Sequence, residues 1–108
     1  MELRSIYPNY AKIDISTATT TEIIAAPGAG KKIAIFSIFE KSGGVNQVTW
    51  KDGTTAITGA IPEAANSGEV MAVNFDKPLL LGFNKAFNIT TGQAVQLSGV
   101  VIYGIVNP

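Results

Sequence analysis

Four features of this 108-residue chain could carry chemistry. The first is a glycine-rich stretch with two lysines, Ala26-Pro27-Gly28-Ala29-Gly30-Lys31-Lys32. A phosphate loop places four residues between a leading Gly and its Gly-Lys and follows the Lys with Ser or Thr. Ala25 and Lys32 hold those two positions, so the stretch reads as a loop joining two strands. The second feature is the acidic set of three Asp and five Glu. No calcium loop of the Asp-x-Asp-x-Asp-Gly kind occurs. Glycoside hydrolysis needs two carboxylates flanking one bond. Glu40, Glu63 and Glu69 would be the candidates, but nothing in their spacing brings them together, and a solvated face is the expectation. The third is Asn88-Ile89-Thr90, an N-glycosylation triplet. No apolar secretory core follows Met1, so the triplet reads as coincidence. The fourth is Trp50, a sugar-stacking platform if exposed. Strand alternation points it the same way as Val48 and Ile57, toward a core.

Two zeros exclude more than these motifs establish. The chain has no Cys and no His. It therefore has no thiolate or imidazole zinc site, no Cys nucleophile and no Ser-His-Asp triad. No catalytic residue, no cofactor and no metal is expected. Eight basic residues balance eight acidic ones, which argues against a grip on nucleic-acid phosphates. The longest apolar run, 97–106, is about half of a membrane helix, so no membrane partner is expected. Charged residues make up 15% of the chain, against roughly 25% in ordinary soluble domains. With a mean hydropathy of +0.26, part of the surface is expected to be covered by copies of the chain or by a partner.

The elements that would hold these residues are strands. Thirteen Ile, eight Val and ten Thr stand against five Leu and two Met, a β-branched bias suited to pleated sheet. The expectation is an all-β antiparallel sandwich or jelly roll of about eight strands at 11–108, preceded by an N-terminal arm at 1–10. Ala11, Ile13 and Ile15 alternate with Lys12, Asp14 and Ser16, and a second strand covers 20–25. A long strand at 31–41 puts Phe36 and Ile38 on one face and Ile33, Ile35 and Phe39 on the other. Asp52-Gly53 predicts a two-residue hairpin turn that pairs Lys51 with Thr54 and Trp50 with Thr55. A loop at 58–68 carries one helical turn at 63–65. Further strands are expected at 69–75, with Met71, Val73 and Phe75 sharing a face, at 79–81, 86–91 and 94–106. Gly99 and Gly104 mark bulges or close backbone approach. Both faces of the strands at 31–41 and 94–106 are apolar. A subunit seam is therefore expected there, at Ile33, Ile35, Phe39, Val100 and Ile102, with Tyr7 and Tyr10 of the arm reaching a neighbour.

The order of features from the long strand onward carries a resemblance. A Gly-Gly turn leads into Val48-Thr49-Trp50-Lys51-Asp52-Gly53-Thr54-Thr55, then Thr58-Gly59-Ala60-Ile61-Pro62-Glu63-Ala64-Ala65-Asn66-Ser67-Gly68. The chain closes with 88–103. Over roughly residues 31–106 this is similar to small β-sandwich structural proteins of tailed bacteriophages, including decoration (cement) proteins of cyanophage-like heads. The arm departs from that pattern. The resemblance implies a jelly-roll-like sandwich, commonly trimeric, seated on the outer capsid where major capsid proteins meet, with no catalytic residues. The expected location is then the virion, after synthesis in the host cytoplasm. The expected partners are copies of the chain and the major capsid protein, with no small-molecule substrate. A tail, fibre or neck component and a carbohydrate-binding module are the alternatives.

Overall fold

A computed structural model describes residues 8–72 and 77–108. Among them ten strands form two antiparallel sheets. They are β1 (Asn9–Ile15), β2 (Thr20–Ile24), β3 (Lys32–Ser42), β4 (Asn46–Asp52) and β5 (Thr55–Ala56). There follow β6 (Ile61–Glu63), β7 (Ser67–Ala72), β8 (Leu79–Leu80), β9 (Phe87–Thr91) and β10 (Leu97–Val106). The first sheet runs β1-β10-β3-β7, with β8 also on β3; the second runs β2-β9-β4-β5, with β6 also on β4. The pairings nest: β1 with β10, β2 with β9, β3 with β7 and β8, β4 with β5 and β6. Successive pairs fall in alternate sheets. That is one antiparallel ribbon rolled on itself, a jelly roll.

Alternation supplies the core. Ile13, Ile15, Leu97 and Val101 from the first sheet meet Val48, Trp50, Phe87 and Ile89 from the second. Each contributes about 1.5–3 kcal/mol on full burial, the main term holding a chain without disulfides together.

The long strand departs from strict alternation. Ile102 faces Ser37 while Tyr103 faces Ile35, so Phe36 is an extra residue in β3, a β-bulge. Before it, Ile33 and Ile35 point inward; after it, Ile38, Glu40 and Ser42 do. Ile33 and Ile35 therefore do not share a face with Phe39. Both are 0% exposed and belong to the core, which corrects their expected place on an outer seam. Phe36 instead packs with Ala34, Val106 and Ile102 in a second, smaller cluster.

Other boundaries also move. Asn9 and Tyr10 belong to β1, Tyr10 facing Ile102, so the strand begins inside the expected arm. Tyr7, Val73 and Phe75 lie outside the described residues. The hairpin forms where expected but its turn lies one residue later, at Gly53-Thr54, so that each β4 residue faces a partner shifted by two, Asp52 opposite Thr55 and Lys51 opposite Ala56. Asp52 is held in β4 because it pairs with Phe87, and its carboxylate accepts the Gly82 N–H at 3.0 Å. The shift of two preserves the inward direction of Trp50. Residues 61–63 are strand rather than the start of a helical turn, because Asn46 to Val48 pair with them. The chain reverses after them through Asn66, whose φ is 63°.

At Gly99 β10 approaches β3 so closely that a Cβ would overlap the Phe39 carbonyl oxygen. Gly99→Ala should cost about 2 kcal/mol or more through forced backbone displacement, read as a lower urea midpoint. Gly59→Ala, with nothing within 4 Å of its Cβ position, should leave the midpoint near wild type.

Candidate functional site

The outward face of the first sheet is built in cross-strand rows. Lys12, Val100, Phe39 and Val70 form one row across β1, β10, β3 and β7. Tyr10, Ile102, Ser37 and Ala72 form the next, and Gly104, Ala34 and Leu80 a third. The first two rows are apolar apart from Lys12 and Ser37, and in the third Gly104 and Ala34 are buried, leaving Leu80 as its exposed member. Tyr10 is 74% exposed, Val70 68%, Phe39 45% and Leu80 40%. Scattered apolar side chains on a surface are ordinary, but a contiguous patch marks an interaction surface. Lys12, Lys41 and Lys32 lie around the patch, Lys32 over the Phe83 ring at 4.5 Å. The Lys12–Asp14 pair, at 4.0 Å and largely exposed, contributes little.

The outward face of the second sheet has the opposite character. Thr20, Thr90 and Thr49 share a row, Glu22, Asn88 and Lys51 the next. The Thr20 and Thr90 hydroxyls lie 2.7 Å apart in a hydrogen bond. This face suits water. The contrast between the two faces is the asymmetry on which any functional reading must rest.

Of the residues expected at a seam, Tyr10, Phe39, Val100 and Ile102 come together on the apolar face. Val70 and Leu80, outside the expected seam, are exposed on the same face. Their signal was present in the apolar positions that alternate with Met71 and Leu79, both packed toward the core.

The carboxylates overturn the expectation of a solvated face. Glu40 on β3 and Glu63 on β6 are 1% and 4% exposed. Their carboxyls meet between the sheets, and Glu69 sits opposite Glu40 on β7. None of the four oxygens of Glu40 and Glu63 makes a hydrogen bond of good geometry to another group. Burial pushes the Glu40 carboxyl up to about 9, reinforced by the Glu63 carboxyl and the Glu69 charge and opposed by the Glu69 N–H. Burial also raises Glu63. Such a pair can hold a proton between its members. Its burial leaves no surface on which a glycosidic bond could lie between the two groups. Among the described residues no cluster of three or more His, Cys, Asp or Glu could hold a metal ion.

The remaining motifs have structural employment. Gly28 N–H donates to Asn84 Oδ1 at 2.9 Å and Asn84 N–H to the Lys31 carbonyl at 2.8 Å, so the glycine-rich loop is tied to a neighbouring turn, and β3 rather than a helix follows it. Asn88 Nδ2 donates to the Gly53 carbonyl at 2.9 Å, engaging the triplet's amide in the hairpin. A shallow depression of about 160 Å³ is lined by Lys41, Asn66, Gln96 and Ser98 among others. Gln96 Nε2 is spent on Asp14 and Ser98.

No family model matches the chain, and no curated protein matches it.

Trp50, 5% exposed, stands in the core rather than on a sugar-binding surface. Its fluorescence should be blue-shifted and resist acrylamide quenching, and Trp50→Ala should cost about 3–5 kcal/mol. A red, freely quenched emission from this single Trp would contradict the packing.

Proposed function

We propose that the chain is a viral structural protein, a capsid decoration (cement) protein that self-associates as a trimer. It binds the outer capsid at junctions of major capsid proteins. The observation that carries this reading is the apolar outward face of the first sheet, around Phe39, Val70, Val100 and Ile102. An assembly component needs such a face; a free-standing soluble domain does not. Support also comes from the jelly-roll winding, an architecture used by viral capsid and lectin domains. Fold by itself does not determine function, so the face and the resemblance over 31–106 bear the weight.

The physical rationale is mechanical. DNA packed in a head repels itself and stresses the shell, and bridges between neighbouring capsomers resist that stress. Each bridge can be weak where many act together. Threefold symmetry presents the same patch to equivalent neighbours. This role needs no cofactor, nucleic acid, membrane or small-molecule substrate. A tail, fibre or neck component would use the same face in few copies. The carbohydrate-binding reading loses its platform with Trp50 inside the core.

Light scattering after gel filtration should give three times 11.3 kDa for the wild type. Phe39→Lys and Val70→Lys should each give the single-chain mass with folding retained, because both side chains are exposed on the outward face. Ile102→Lys should dissociate the assembly too, but with a loss of stability, because Ile102 packs against the Ala34, Phe36 and Val106 cluster. A wild-type monomer, or variants of unchanged mass, would remove the seam. Purified particles should carry hundreds of copies; a handful per virion would move the chain to the tail or neck.

A further inference from the structure

The two sheets are joined at one corner by acid. Glu40 rises from β3 of the first sheet and Glu63 from β6 of the second, each more than nine-tenths buried. Their four carboxyl oxygens make no hydrogen bond of good geometry elsewhere. Opposite Glu40 stand Gly99 on β10 and Glu69 on β7; opposite Glu63 stands Asn46 on β4. The Asn46 Nδ2 is buried without a partner, while its Oδ1 accepts the Gln47 and Gln93 N–H groups. The charged group facing the pair from the packed elements is thus a third carboxylate. No salt bridge reaches either Glu among the described residues. Lys41 and Lys12 alternate onto the outward face.

Two carboxylates in contact without a cation cannot both stay ionised; one must hold a proton and donate it to the other. We propose that Glu40 and Glu63 form a proton-held clasp between the sheets, closed in acid and neutral solution and released in alkali. Release transfers the shared proton to hydroxide, giving water and two facing carboxylates whose repulsion, added to that of Glu69, parts β3 from β6 and loosens β7. The corner that opens carries Phe39 and Val70, next in sequence to Glu40 and Glu69, so the clasp also governs one side of the apolar face.

The direction of the pH effect is fixed by the raised Glu40 pKa. A carboxyl that binds its proton more tightly when folded favours the folded chain most in acid, and this advantage fades as pH rises from 4.5 toward about 9.

The test is urea unfolding of the full chain from pH 5 to 9.5, with Glu40→Gln and Glu63→Gln alongside. The wild-type folding constant should fall by up to tenfold per pH unit over this range. Glu40→Gln should flatten the profile and exceed wild type at pH 8. The double variant should add little to either single one, since each removes the same repulsion. A flat wild-type profile, or a Glu40→Gln profile with the wild-type slope, would overturn the clasp. Carboxyl-carbon NMR of the wild type covers the case in which a variant does not fold. A Glu40 resonance titrating above pH 7 is the expected result, and one titrating between pH 4 and 5 refutes the proposal. Amide protection, corrected for intrinsic exchange, should drop in β6 and β7 above pH 8 while β2 and β9 hold. A uniform drop would show that the corner does not open separately.

Discussion

The outermost ribbon of the roll pairs β1 with β10, two strands near opposite ends of the chain. Every inner pair depends on that closure, because β1 and β10 together cover one half of the first sheet while β2 and β9 cover half of the second. Neither half buries its apolar side without the other. The cohesion is hydrophobic, carried by Ile13, Ile15, Leu97 and Val101 against Phe87, Ile89 and Trp50. Loop-closure entropy must be overcome before these distant residues are rewarded with contact. A fold with this topology assembles slowly compared with helical chains of equal length. Its stability is then concentrated in contacts that no short segment can make alone.

The strand plan was legible because period-two alternation and Gly, Pro and Asn punctuation are local signals. Ile13 and Ile15, Phe87 and Ile89, and Val48 and Trp50 all face where alternation points them. What escaped was nonlocal. Nothing in Phe36-Ser37 marks a bulge; the extra residue is visible only once β10 is laid beside β3. Strict alternation along 31–41 puts Ile33 and Ile35 on the face of Phe39 for that reason. Glu40 and Glu63 belong to different sheets, and their meeting follows from two registers that no spacing along the chain encodes. Residues 61–63 hid because Pro62 discounts a strand, although an edge position tolerates it. Asp52 read as a turn residue, yet its pairing with Phe87 and its bond to Gly82 outrank its local preference.

Two inversions stand side by side in this fold. Carboxyls lie inside, where they must share protons, and aromatic and aliphatic groups lie outside, where water meets them. Both occur on β3, with Glu40 inward and Phe39 outward as consecutive residues. A strand selected for stability alone would carry the reverse arrangement. Burying acid lowers the stability of the domain, whereas exposing an apolar row lowers its solubility. Each makes physical sense if the isolated chain is not the form in which the protein works.

The bulge at Phe36 works as a spacer in this arrangement. It divides β3 into two halves of opposite parity, odd residues inward before it and even residues inward after it. The ladder is continuous on either side, with Ile35 opposite Tyr103 and Ser37 opposite Ile102. Removing Phe36 would leave Ile35 inward, Ser37 outward and every later residue on its present face, and would take away only the side chain that packs with Ala34 and Val106. Losing a residue between Ile38 and Ser42 would instead act on the strand as a frameshift acts on a reading frame, sending the residues beyond it to the opposite face. One position of the strand is thus free in length, and its neighbours are not.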